Sequence, residues 1–340
     1  MIEDKLTLPS ASDVKSAAER IRGHAIRTPL LEAPLLNRFL GGRLLVKAEI
    51  MQRTGSFKFR GAFNKISSLY DFGKTTGVVA FSSGNHAQGV AYASQLLGVP
   101  ATIVMPADAP NIKLSNTQAY GATVVTYDRN NEDREEIGRD IAVGTGAELI
   151  QPFDDPDIIA GQGTVGLEIV EQLAKHGAHP DVVVSPVGGG GLVAGIGLGL
   201  DLDETGIPLF GVEPEGFDDT RRSLLSGQRE TNLPGPISIC DALLAEAPGE
   251  ITFKLNRSRL EGCLAVSDKE VQTAMAAAFA YFKIVVEPGG AAALAAVLSG
   301  QIPCQNRCVV VVASGGNVDP QTFAASLDNV EWNAPPLAMR

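Results

Sequence analysis

Val182, Val183 and Val184, and again Val309 to Val312, are runs in which every residue is apolar and β-branched. A strand built from such a run has no face to offer water, so it must be covered on both sides, as strands are in a parallel sheet wrapped by helices. Short runs rich in Val, Ile and Leu recur at residues 44–48, 78–81, 101–105, 123–127, 148–151 and 209–213, and the strands holding the valine runs span 182–186 and 308–313. Each is followed by a turn containing Gly, Ser or Pro and then by a stretch with helical spacing of its apolar residues. The periodicity predicts helices over 13–22, 56–69, 86–97, 111–120, 133–143, 163–176, 267–282 and 290–298, with Ser267 and Glu270 as a capping box. The chain therefore reads as α/β, with open, twisted, mostly parallel sheets flanked by helices, and its 340 residues suffice for two lobes.

With 44% of residues hydrophobic and 20% charged, the chain can bury a large core, which excludes disorder as its main character. Asp and Glu outnumber Lys and Arg by 39 to 28, and the net charge of −11 disfavours a nucleic-acid partner. The four cysteines, Cys240, Cys263, Cys304 and Cys308, are too few and too clustered for a disulfide framework, and the last two lack the second pair a zinc site needs. They read as reduced thiols. The first ten residues carry Glu3 and Asp4 where an export signal carries bases, so the expected location is cytoplasmic. The most apolar stretches, 186–200 and 284–298, are shorter than the roughly 20 residues of a membrane span, and no membrane partner is expected.

Ligands of open α/β sheets bind beyond the carboxyl ends of the strands, so the residues directly after each strand carry the most information. Four junctions stand out. After 44–48 the chain runs from Gln52 to Ala62, with Ser56 as a helix cap and Lys58 in the first helical turn. There the positive end of the helix disfavours an ammonium and lowers its pKa, as a Schiff-base lysine requires; alone, Lys58 reads more simply as a solvated surface residue. After 78–81 come Ser82, Ser83, Gly84, Asn85 and His86, whose hydroxyls, amide and backbone N–H groups can grip a carboxylate or simply cap the next helix. After 182–186 come Gly188, Gly189, Gly190 and Gly191 at the mouth of an apolar helix, where backbone N–H groups and the helix dipole can close on a phosphate. Neither a P-loop nor a dinucleotide fingerprint is present, so a monophosphate fits better. After 308–313, Ser314 to Asn317 form what alone is a turn, presenting a hydroxyl at the same sheet edge.

In this order the four junctions resemble the tryptophan-synthase-β-like, type II pyridoxal-phosphate enzymes, and most closely the serine/threonine dehydratase and serine racemase family, over residues 13–325. The resemblance implies a two-domain fold, with a large cofactor-binding domain of residues 1–75 and 152–340 and a small mobile substrate domain of residues 76–151. It implies pyridoxal 5'-phosphate carried by Lys58, with Phe57 over the ring, Asn85 on the phenolic oxygen, Gly188 to Gly191 on the phosphate and Ser314 facing the pyridine nitrogen. Ser82, Ser83, Gly84, Asn85 and His86 would grip the carboxylate of a small amino-acid substrate. The implied reaction is that of an ammonia-lyase: Lys58 takes the Cα proton, the β-hydroxyl leaves, and a 2-oxo acid and ammonia result. A neutral Ser314 limits the ring as an electron sink and favours elimination over transamination. His86 takes a structural role in this reading, since the family gives the proton transfer to lysine.

Ser83 stands where many threonine dehydratases carry alanine and where serine racemase carries the acid/base of the opposite face. Racemisation of serine or of an aspartate-type substrate therefore stays open, as does dehydration of hydroxyaspartate. Arg134, near a helix start, aligns with a position that can reach a substrate acid group, and reads equally as a solvated arginine. Residues 211–219 resemble the divalent-cation site of serine racemase, with Glu213, the Phe217 carbonyl and Asp219 as oxygen ligands for Mg²⁺ or Ca²⁺. Phe217 departs from the small residue expected there, and without the resemblance this stretch is a solvated acidic turn. The family also implies a homodimer, and the chain leaves no room after its catalytic region for the regulatory domain of biosynthetic threonine deaminases. Two other classes compete. A ligand sensor without a Schiff base is opposed by the presence of Lys58, and a dinucleotide oxidoreductase by the missing GxGxxG after an early strand.

Overall fold

The computed structural model describes residues 6–328 except 72, 74, 83, 110, 176–177 and 203–205, and for 111–113 the backbone alone. Ten strands are present among the described residues: β1 (Leu30–Glu32), β2 (Arg43–Ala48), β3 (Val78–Phe81), β4 (Ala101–Pro106), β5 (Thr123–Tyr127), β6 (Glu148–Leu149), β7 (Val182–Pro186), β8 (Leu209–Pro214), β9 (Gly262–Val266) and β10 (Cys308–Ala313). They form a six-stranded sheet in the order β1-β2-β10-β7-β8-β9 and a four-stranded sheet in the order β5-β4-β3-β6. Among these strands only the β1 and β2 pair runs antiparallel. Because β3 to β6 are consecutive in sequence, the small sheet is inserted between β2 and β7 of the large one.

The valine runs behave as their composition requires. Val309 and Val311 enter a core shared with the helices Asp268–Ala277 and Pro288–Leu298. Val310 and Val312 enter another core, shared with the helices Pro156–Ala174 and Gly191–Leu200. All four are 0% exposed, and burial of each contributes about 1.5 kcal/mol or more. In the small sheet, Val78 and Ala80 pack with Phe59, Phe63 and Ile66 of the helix Lys58–Asp71, while Val79 and Phe81 face the helix Arg134–Thr145.

Each sheet reverses its winding once. In the large sheet β8 and β9 lie on one side of β7 and β10 on the other; in the small sheet β4 and β5 lie on one side of β3 and β6 on the other. Such reversal points are where open parallel sheets hold ligands.

Several boundaries differ from the sequence expectation. β1 and β9 are additional edge strands: β1 has only three residues, Leu30, Leu31 and Glu32, and the apolar stretch of β9, Cys263 to Val266, is four residues long and runs directly into the cap of the next helix at Ser267. The helix expected from residue 163 begins at Pro156, where the Asp155 side chain accepts from the backbone N–H groups of Asp157 and Ile158 at 2.8 and 3.0 Å. An aspartate cap followed by proline sets this earlier start, and the expected end at His176 lies outside the described residues. Ser56 does not cap the next helix, which opens at Lys58; it is buried and bridged to Gly315 in antiparallel fashion. The capping box of Ser267 and Glu270 is present, and its helix ends in one π turn, Ala278–Phe282, before Lys283 at φ 60°. Among the described residues no helix is long and apolar enough to cross a membrane.

Candidate active site

The two reversal points face one cavity of about 270 Å³. Lys58, the first residue of its helix, lines it, and its Nζ donates to the Pro152 carbonyl at 2.6 Å, 5.3 Å from the centroid of the Phe57 ring. Withdrawal from water alone lowers its amine to about 8, because burial disfavours the charged form. The lowering expected from the helix terminus is therefore present, with burial as its cause. Phe57 is fixed through its backbone N–H, which donates to the Ser314 carbonyl at 3.1 Å. Ser314 is 5% exposed and also lines the cavity.

Ser82, Gly84, Asn85 and His86 reach the same cavity from the end of β3, while Ser83 lies outside the described residues. The His86 Nε2 is 3.0 Å from the Ile150 carbonyl, which can only accept, so that nitrogen carries the proton. Burial first, and then the charge of Lys58, push the imidazole down to about 3. His86 is thus neutral at physiological pH and spends its N–H on the backbone next to the Lys58 acceptor. Arg134 opens its helix at the cavity wall, its guanidinium 5.7 Å from the centroid of the Phe81 ring.

The four glycines line the same cavity, and at Gly189, Gly190 and Gly191 a side chain would collide with its neighbours. A Cβ on Gly189 would sit 2.4 Å from the Phe153 ring, and Gly190, at φ 90°, would bring one within 2.7 Å of Asn256 Nδ2. Their carbonyls face away, Gly189 O accepting from Thr252 Oγ1 at 2.7 Å and Gly190 O from Asn256 Nδ2 at 3.3 Å. Among the described residues no side chain caps the helix Gly191–Leu200, so its first N–H groups form an anion cradle of the kind a phosphate fills.

Glu213, at the end of β8, is 0% exposed; its two oxygens accept from the backbone N–H groups of Thr220 and Arg221, both at 2.9 Å. Burial first, and then the charge of Asp219, raise it to about 8. Asp219 is 1% exposed and raised to about 6, mainly by burial; its Oδ1 accepts from Asn232 Nδ2 at 2.6 Å and its Oδ2 has no partner among the described residues. Phe217 lies on the intervening turn. Among the described residues no group of three or more His, Cys, Asp or Glu side chains converges, so a cation here would need main-chain and water oxygens as well.

Two further residues of the cavity escaped the sequence reading. Glu287 Oε1 accepts from Asn85 Nδ2 at 2.6 Å, and Asn317 Nδ2 donates to Asn85 Oδ1 and to the Thr54 carbonyl, both at 2.7 Å. Asn85 is thereby held at both ends of its amide. Glu287 gave only the signal of an acid before Pro288 at a helix start, and Asn317 closed the Ser314 to Asn317 motif without a role of its own.

Residues 21–315 match the family model for pyridoxal-phosphate-dependent enzymes. The chain is 41% identical over 326 residues to an L-threo-3-hydroxyaspartate ammonia-lyase of Saccharomyces cerevisiae, covering 96% of this chain and 98% of that one. It is 37% identical over 323 residues to a serine racemase of Schizosaccharomyces pombe, covering 95% and 98%. The solved structure of maize serine racemase superposes with a TM-score of 0.87 at 35% identity, covering 95% of this chain and 98% of that one.

Proposed function

Because the chain belongs to the family of pyridoxal-phosphate-dependent enzymes, we propose that it is an ammonia-lyase that converts a small β-hydroxy amino acid, with 3-hydroxyaspartate preferred, to a 2-oxo acid and ammonia. The observation that carries this reading is a lysine amine lowered to about 8 in the same cavity as a side-chain-free anion cradle. The residues present fit the cofactor: Lys58 for its aldehyde, Gly188 to Gly191 for its phosphate, Phe57 against its ring, Asn85 on its phenolic oxygen and Ser314 at its nitrogen. When bound, pyridoxal phosphate supplies an imine-forming aldehyde and an electron sink for the substrate Cα.

The chain's own groups supply the rest. With the cofactor bound, Lys58 would serve as the base at Cα, and the Pro152 carbonyl, which accepts from its Nζ, would hold its protonated form in place. Ser82, Gly84 and Asn85 would bind the substrate carboxylate with hydroxyl and backbone N–H donors, the Asn85 side chain being kept for Glu287 and the phenolic oxygen, and we assign Ser83 to the same loop, as the acid/base of the opposite face should the enzyme also racemise. His86, neutral and tied to Ile150, shapes this loop. Ser314, a neutral group, would leave the pyridine nitrogen without a proton, which limits the ring as an electron sink and favours elimination over transamination.

Arg134 supports the acidic substrate, since a guanidinium at the cavity wall would pair with a second carboxylate. Relatives that act on hydroxyaspartate agree with that preference. We further propose residues 76–151 as a small mobile domain that closes on the substrate, with the large domain formed by 1–75 and 152–340.

Glu213, the Phe217 carbonyl and Asp219 are proposed as ligands of Mg²⁺ or Ca²⁺, a reading supported by the unpartnered Asp219 Oδ2. A cytoplasmic homodimer completes the proposal; exposed Phe279, Val285 and Ile237 offer a second copy apolar surface to cover, and light scattering after gel filtration reads the mass. The decisive assay offers L- and D-serine, L-threonine and 3-hydroxyaspartate to the enzyme and scores oxo acid and inversion separately. Fastest oxo-acid release from 3-hydroxyaspartate is expected, and no oxo acid from any of them overturns the reading.

A further inference from the structure

Residues 241–245 line the catalytic cavity beside the glycine turn, and their backbone packs on it: a Cβ on Gly188 would sit 3.2 Å from the Ala242 carbonyl and 3.3 Å from Leu243 Cα. This segment has no regular structure after the short turn Asp241–Leu243, so its position depends on what ties its ends. Its far end is tied by Asn232. The Nδ2 of Asn232 donates to the Ala245 carbonyl at 2.8 Å and to Asp219 Oδ1 at 2.6 Å, while its Oδ1 accepts from Arg222 at 2.7 Å. The Asn232 backbone N–H adds a bond to the Glu246 carbonyl at 2.8 Å. Both amide hydrogens and the amide oxygen are therefore engaged, and the donors and acceptors around it allow one orientation only.

We propose that Asn232 is a positioning residue for the catalytic cavity: it hangs the segment 241–245 on the Asp219 carboxylate, so that a divalent cation held by Glu213 and Asp219 sets the order of the cavity wall. The inference rests on the cation reading above. Its physical ground is asymmetry at Asp219, whose Oδ1 holds Asn232 while the buried Oδ2 has no partner among the described residues. A cation on Oδ2 fixes the carboxylate at both oxygens, and the amide suspended from it then transmits that restraint to Ala245. The route needs two hydrogen bonds and no movement of β8 or of the glycine turn.

The test uses the holoenzyme, freed of cation by chelation and then given Ca²⁺, with hydrogen exchange of residues 241–249 and calorimetric Ca²⁺ binding measured on the same preparations. In the parent enzyme Ca²⁺ should slow exchange of this segment tenfold or more and lower KM for substrate. In Asn232→Asp, which keeps the shape but loses the amide donors and adds negative charge, Ca²⁺ should bind at least as tightly yet change exchange less than twofold. Asn232→Ala should bind Ca²⁺ within about threefold of the parent and show the same loss of coupling. Ca²⁺ protection that persists in either folded variant overturns the proposal, as does Ca²⁺ that binds the parent without altering exchange. Failure of the parent to bind Ca²⁺ at all sinks the cation reading together with this one.

Discussion

The Lys58 amine donates a 2.6 Å hydrogen bond to the carbonyl of Pro152, a residue 94 positions away on the segment that leaves the small sheet. The same segment presents the Ile150 carbonyl to His86, so the base and the substrate loop are set by one stretch of backbone. Its next residues are equally committed: Phe153 covers Gly189, and Asp154 accepts from the backbone N–H groups of Glu250, Ile251 and Thr252.

Burial places the Lys58 amine near 8, so below that pH the amine is mainly ammonium and cannot attack an aldehyde. Capture of pyridoxal phosphate by apoenzyme should therefore quicken about tenfold per pH unit between 6 and 8 and level off above. Stopped-flow absorbance across pH 6 to 9.5 reads this directly. A rate still climbing tenfold per unit at 9.5 would mean that burial does not lower this lysine.

Lys58→Ala should lose the visible absorption of the bound cofactor and turnover by roughly a thousandfold or more. Far-ultraviolet circular dichroism should stay unchanged, since Lys58 contributes one hydrogen bond at a helix start. Borohydride labelling of another lysine in this variant would move the role elsewhere.

Arg134→Leu separates substrate classes. Loss of one charged hydrogen-bonding partner should lower kcat/KM for 3-hydroxyaspartate about ten- to a hundredfold and that for serine less than threefold. Equal losses on both substrates would return Arg134 to the solvated helix face.

Gly189→Ala forces a methyl to within 2.4 Å of the Phe153 ring. Overpacking of this kind costs about 1–3 kcal/mol, and moving Phe153 opens the phosphate cradle. Affinity for pyridoxal phosphate should fall tenfold or more, read by titration after dialysis, with a lowered melting temperature. Unchanged affinity would show that the phosphate binds elsewhere.

Exhaustive chelation should lower the melting temperature by about 5 °C and reduce activity, with Mg²⁺ or Ca²⁺ restoring both. Glu213→Gln should blunt the restoration while sparing the cofactor spectrum, because Glu213 stands at the end of β8 and is not among the residues that line the cavity. Indifference of the parent to chelator in both readouts would leave Glu213 and Asp219 as a buried acidic turn.

Short-range patterns made much of this legible. The valine runs dictated strands covered on both sides, the strand ends carried the motifs, and Gly188 to Gly191 pointed to a phosphate from residue type and junction, whereas Lys58 and Ser314 drew their roles from the resemblance that the four junctions carry together. Where reading failed, the reason is local competition. Ser56 has the chemistry of a helix cap, but its backbone pairs with Gly315, far along the chain, and that pairing shifts the helix start to Lys58. β9 has an apolar stretch, Cys263 to Val266, but it is only four residues long and abuts the capping box of the next helix, so period alone could not tell strand from helix lead-in.

The sequence by itself determined the alternation of strands and helices, the glycine turn and the lysine at a helix start, because each depends on period, capping or backbone freedom within a few residues. Only the tertiary structure decided that Pro152 receives the Lys58 amine, that Glu287 and Asn317 clasp Asn85, and that Asn232 bridges Asp219 to the cavity wall. Those contacts join residues from 13 to 232 positions apart. Their energy comes from groups that meet only after both sheets have closed on one cavity, where burial moves the Lys58 amine to about 8 and lets hydrogen bonds outweigh any preference of the local chain.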